Sequence, residues 1–136
     1  MGKLLIGGQN PFVIASLREA ARGAGHDVCG IAPSARTLVA LAAREKPDLA
    51  IIDVQLANGD SGVEAAIEVS KRTNARILFL TTKPSGVSDP PSLIGNACLR
   101  RPFTRSEAIA ALQRLELIET TTEPPLWVSQ NLPVIE

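Results

Sequence analysis

Asp48-Leu-Ala-Ile-Ile-Asp53 decides how this chain folds. An unbroken apolar run of this length, with no polar alternation, reads as a strand buried on both faces. Such strands belong to parallel sheets covered by helices on each side. Asp53 then stands at the carboxyl end of a buried strand, the end at which open α/β sheets collect ligands.

Working outward, Pro47 closes a helix that Ser34 caps and that carries Leu38, Leu41 and Ala42. His26 to Ile31 reads as strand two. Earlier still, Lys3 to Ile6 reads as strand one, closed by a tight turn at Gly7-Gly8. Asn10 caps a helix with Pro11 in its first turn, and Phe12, Ile14, Leu17, Ala20 and Ala21 form its apolar face up to Gly25.

Beyond Asp53, a turn at Asn58-Gly59 leads into a helix over Ser61 to Arg72, and Arg76 to Thr81 is strand four. Lys83 to Ser92 holds three prolines and one glycine, which predicts a degenerate fourth helix. Ala97 to Arg100 is a short fifth strand, and Thr104 caps a last helix bearing Ala108, Ile109, Leu112 and Leu115. The expected architecture is α/β: a doubly wound, five-stranded, flavodoxin-like parallel sheet over residues 1–118. Residues 119–136 form a tail with Pro124-Pro125 and an apolar group of Leu126, Trp127, Leu132 and Val134, read as either disordered or docking.

The 14 basic and 14 acidic residues cancel, so no overall field favours nucleic acid or an anionic membrane. Apolar runs such as Leu49 to Ile52 are too short to span a bilayer, and Met1 to Ile6 lacks a signal-peptide pattern, so a cytoplasmic protein is expected. Cys29 and Cys98 have no metal-ligand spacing and read as buried free thiols, and the lone His26 reads as a surface residue. Three Phe, one Trp and no Tyr offer little to stack on a flavin, and Gly7-Gly8 lacks the remainder of a phosphate loop. A dehalogenase-type phosphatase would want a second aspartate two residues after the nucleophile, where Gln55 stands.

Five segments in order carry a resemblance. They are Leu4-Leu-Ile before Pro11-Phe12, Pro47-Asp-Leu-Ala-Ile-Ile-Asp53, Asn58-Gly-Asp-Ser-Gly62-Val-Glu, Leu78-Phe-Leu-Thr-Thr82 and Arg101-Pro-Phe103. Over residues 3 to 116 the chain resembles the receiver domain of two-component response regulators. The resemblance implies a phosphoacceptor at Asp53, a hydroxyl from Thr81 for a phosphoryl oxygen, and a cation at Arg101. It implies Mg²⁺ held by Asp53 and the Gln55 backbone carbonyl, with Gln9 as a further candidate. It also implies a histidine kinase or histidine phosphotransfer protein as donor and a downstream protein target, with homodimerisation left open. No output domain fits after Leu117, so a stand-alone receiver in a phosphorelay is expected, not an enzyme beyond its own phosphorylation and dephosphorylation.

The departures are as informative as the matches. Gly8 and Gln9 stand where the family has two acidic residues for the metal. Mg²⁺ prefers carboxylate oxygens, and each lost carboxylate forfeits on the order of 4 kcal/mol at an effective dielectric of about 20. Arg101 replaces the lysine before Pro-Phe, and Cys98 replaces the switch aromatic. These changes favour an alternative function: a pseudo-receiver that binds protein partners without phosphorylation. Each residue also has a plainer reading, with Asp53 capping a turn, Thr81 as a strand former and Arg101 as a solvated surface cation.

Overall fold

The computed structural model describes residues 2–81 and 98–116. The expectations for Thr82, for the fourth helix over Lys83 to Ser92 and for the tail 119–136 lie outside the described residues. The chain runs β1 (Lys3–Gly7), α1 (Pro11–Gly23), β2 (Asp27–Ala32), α2 (Ala35–Glu45), β3 (Leu49–Asp53), a 3-10 turn (Ala57–Gly59), α3 (Gly62–Arg72), β4 (Arg76–Thr81), β5 (Cys98–Arg100) and α4 (Arg105–Glu116).

The strands form one parallel sheet in the order β2-β1-β3-β4-β5. Successive side chains of a strand point to opposite faces, and the core divides accordingly. Leu4, Ile6, Leu49, Ile51, Leu78 and Leu80 pack with α1 and α4. Leu5, Ala50, Ile52, Ile77 and Phe79 pack with α2 and α3. This is the doubly wound, flavodoxin-like fold expected from the apolar runs. The strand order reverses between β1 and β3, so the crevice at their carboxyl ends is the topological switch point. Asp53 is the last residue of β3 and lies there.

The helix starts follow their capping residues. Asn10 Oδ1 accepts from the amides of Phe12 and Val13, 2.9 and 3.2 Å, with Pro11 at the first helical position. Ser34 forms a capping box with Thr37, and Ser61 Oγ accepts from the Glu64 amide at 3.2 Å. Thr104 and Glu107 cap α4 reciprocally: Thr104 N–H donates to Glu107 Oε1 at 2.8 Å and Glu107 N–H to Thr104 Oγ1 at 3.1 Å. At the turn after β3, Asn58 and Gly59 take left-handed φ of 66° and 76°, a region open to glycine and tolerated by asparagine.

Several expectations are corrected. His26 is buried, not a surface residue. Gly25, at φ 86°, turns the chain so that the His26 amide reaches back to the Ala21 carbonyl at 2.9 Å and the side chain lies against the domain. Phe12 does not join the buried face of α1; it is 84% exposed, and Leu17, Ala20 and Ala21 carry the buried stripe. Cys29 and Cys98 are only half-buried, since β2 and β5 are the outer strands. Gly7-Gly8 makes no left-handed turn. β1 includes Gly7, and the Gly8 amide continues the ladder to the Ala32 carbonyl at 2.9 Å. Gly7 is small because a Cβ there would lie 3.0 Å from Leu38 Cδ2. Strands two and three each start one residue later than read, at Asp27 and Leu49. Among the described residues no helix is long and apolar enough to cross a membrane.

Candidate functional site

Three neighbouring strands bring the candidate side chains to one end of the sheet. β3 ends at Asp53, β4 at Thr81, and Arg101 follows β5 directly. Asp53 pairs in register with Leu80, and Thr81 with Arg100, so Thr81 lies one step beyond the acceptor on the adjacent strand. The Arg101 amide donates to the Thr81 carbonyl at 2.8 Å, extending the β4–β5 ladder and fixing where the arginine side chain starts. Arg101–Pro102 is a cis peptide.

Asp53 is 5% exposed. Its Oδ1 accepts from the Gln55 amide at 2.9 Å, so the turn-capping reading of this carboxylate is realised. Its Oδ2 lies 3.2 Å from Arg101 Nη2. The solvated-surface reading of Arg101 is therefore replaced, for this side chain folds inward onto the carboxylate. Burial pushes the Asp53 carboxyl above its ordinary range, while the Gln55 amide and the Arg101 guanidinium pull it down. Desolvation wins even with a guanidinium in contact.

Two glycines shape the surroundings. A Cβ on Gly62 would overlap the Asp53 carbonyl oxygen and lie 2.8 Å from Val54 Cα, so the β3–α3 loop closes tightly under the acceptor. The Gly62 amide donates to the Val54 carbonyl at 2.8 Å. On the other side, a Cβ on Gly8 would meet only Asp53 Cβ, at 4.0 Å. Among the described residues, nothing closer than Asp53 Cβ would meet a side chain at this buried corner, where the family places an acid.

The donor set does not fit Mg²⁺. That ion wants several hard oxygens in octahedral array, and Asp53 is a single carboxylate already holding an amide and a guanidinium. Gly8 has no side chain, and Gln9 is exposed. Among the described residues no group of three or more His, Cys, Asp or Glu could hold a metal ion. The residues that could hold an anion instead are Arg101 and the hydroxyl of buried Thr81.

The β3–α3 loop is fastened to the start of α2. Asp60 Oδ2 accepts from the Ala35 amide at 2.9 Å, and the Ala57 amide donates to the Pro33 carbonyl at 2.7 Å. Reading along the sequence missed this tie and the Gly62 contact, although Asp60-Ser-Gly62 lay inside a quoted segment. A separate groove is lined by Lys46, Asp48, Lys71, Arg72 and Arg76. It lies at the amino ends of the strands, where Lys46 sits at the carboxyl end of α2, and Lys71 and Arg72 at that of α3, complementing the helix dipoles.

No protein-family model matches the chain. The phyllosphere-induced regulator PhyR of Methylorubrum extorquens is 27% identical over 117 residues, covering 82% of this chain and 42% of that protein. The transcriptional regulatory protein PdtaR of Mycobacterium tuberculosis is 31% identical over 113 residues, covering 82% of this chain and 55% of that protein. The chain thus spans about half the length of the curated relatives it matches. The solution structure of the Erythrobacter litoralis PhyR response regulator REC domain superposes with a TM-score of 0.75 at 26% identity, covering 91% of this chain and 96% of that one. Brucella abortus PhyR superposes with a TM-score of 0.72 at 27% identity, over 84% of this chain and 47% of that one. These relatives, with the sheet order and the acidic strand end, support a response regulator receiver domain of the kind found in two-component signalling.

Proposed function

We propose that Asp53 is the phosphoacceptor of an atypical receiver, charged by an N-phosphorylated histidine of a kinase or phosphotransfer protein and read out by a downstream protein. The observation that carries this reading is the Asp53 carboxylate at the switch point, with Thr81 and Arg101 at the adjoining strand ends. Phosphoryl transfer asks mainly for positioning and for charge to balance the equatorial oxygens. The strand ends supply the first. Arg101 supplies a planar fork that suits phosphate geometry. Phosphorylation then competes with the Asp53–Arg101 pair, and releasing that pair changes the surface around β4 and β5.

A second reading is favoured by the Gly8 and Gln9 positions and by the ion pair already closed on Asp53. In it the domain binds partners with no phosphate involved. Intact-mass measurement after incubation with a small phosphodonor and Mg²⁺ separates the two. One phosphoryl group gained by the wild type and none by Asp53→Ala is the expected result. An unchanged wild-type mass, or equal labelling of the variant, leaves the pseudo-receiver reading in possession.

A further inference from the structure

The geometry points to metal-independent phosphoryl transfer at Asp53, with Arg101 in the place of the divalent ion. This rests on the reading of Asp53 as acceptor. Three observations carry it. The first is the donor set: among the described residues, Gly8 with no side chain, an exposed amide at Gln9 and one carboxylate do not assemble the oxygen cage of Mg²⁺. The second is Arg101 itself, a permanent cation 3.2 Å from Asp53 Oδ2 with its side chain 19% exposed. The third is an orphan donor. Arg101 Nε is buried and has no hydrogen-bond partner among the described residues. Buried donors in folded proteins are almost always satisfied, and an exception asks for an explanation. A tetrahedral anion seated on Asp53 would give this N–H an acceptor beside the one that Nη2 already has.

In the step itself, Asp53 Oδ2 attacks phosphorus while Oδ1 keeps the Gln55 amide. The Oδ2–P bond forms as the N–P bond of a phosphoimidazolium breaks. The bond's electron pair stays on the ring nitrogen, and imidazole leaves neutral because its other nitrogen already carries a proton. Arg101 moves its fork from the carboxylate to the phosphoryl oxygens, so the positive charge stays at the reacting centre throughout.

The test uses the full chain and phosphoramidate, a small N–P donor, with either MgCl₂ or EDTA, followed by intact mass and by thermal melts of each variant. Wild-type labelling at Asp53 should proceed at rates within about twofold in the two conditions. Arg101→Gln should lower the metal-free rate about a hundredfold, the scale of losing a preorganised charge-stabilising donor. Arg101→Lys, which keeps the charge but loses the fork and Nε, should fall between them and guard against a folding artefact. A Gly8→Glu/Gln9→Asp double variant should acquire Mg²⁺ dependence. Labelling of wild-type Asp53 only with Mg²⁺ overturns this inference and leaves Asp53 as acceptor. Metal-free labelling that survives Arg101→Gln at full rate overturns it too. No labelling in either condition overturns the acceptor reading along with it.

Discussion

Arg101 reaches across from the end of β5 to put Nη2 3.2 Å from Oδ2 of Asp53, at the end of β3. Both side chains are largely buried, and burial of two ions costs free energy that their attraction only partly offsets. Burial likewise raises the Asp53 carboxyl despite the Gln55 amide and the Arg101 guanidinium. The pair is therefore poorly explained as a stabilising device and better explained as a charged site held ready.

The sign of its pH dependence follows. A carboxyl whose folded pKa is raised stabilises the fold below its ordinary range of about 4, and that stability is lost as pH rises through the folded value. Urea melts of wild type and Asp53→Asn across this span should diverge, with wild type losing stability relative to the variant as pH rises and the difference constant above. Comparing the two proteins removes Glu45, whose hydrogen bond from Arg44 lowers its carboxyl and works in the opposite direction. A wild type that gains on the variant with rising pH contradicts the account.

Two glycines beside the acceptor should respond oppositely to a methyl group. Gly62→Ala forces a Cβ into the Asp53 carbonyl and should cost about 3 kcal/mol or more, the upper range for overpacking, because backbone has to shift. Gly8→Ala has room and should change stability by no more than about 0.5 kcal/mol. Chemical denaturation of both variants measures the contrast.

Phe79 and Phe12 make a second pair. Phe79 is fully buried between β3, β4 and the α2–α3 face, so Phe79→Ala should destabilise by about 3–5 kcal/mol. Phe12→Ala, at an exposed position, should leave the melting curve within about 0.5 kcal/mol of wild type.

The reciprocal cap of α4 is testable at one atom. Thr104→Ala removes the acceptor of the Glu107 amide and should cost about 1 kcal/mol, whereas Thr104→Ser should retain most of it. Equal losses in both variants would assign the effect to the methyl group instead of the hydroxyl.

Much of the fold was legible because its signals are local. Asp48-Leu-Ala-Ile-Ile-Asp53 and Arg76 to Thr81 are apolar on both faces, and Asn10, Ser34, Ser61 and Thr104 announce helices. What escaped depends on contacts distant in sequence. His26 is buried where Gly25 turns the chain back toward Ala21, and Phe12 is exposed although it begins the apolar run of α1. Gly7 and Gly8 read as a turn by composition, yet one is small for Leu38 and the other extends the ladder. Within the site, position could be read from the strand ends. The resemblance also marked Arg101 as the site cation able to pair with Asp53, but that the pair is closed at 3.2 Å was not legible in the sequence.

The double tie between Asp60 and Ala35 and between Ala57 and Pro33 makes the acceptor's loop and the first turn of α2 one cooperative unit. Opening either side breaks both bonds, so the amides of Ala35 and Ala57 should share one exchange rate with solvent deuterium, not two. An event that lifts the loop beneath Asp53 is then felt at α2, on the flank of the sheet away from Arg101.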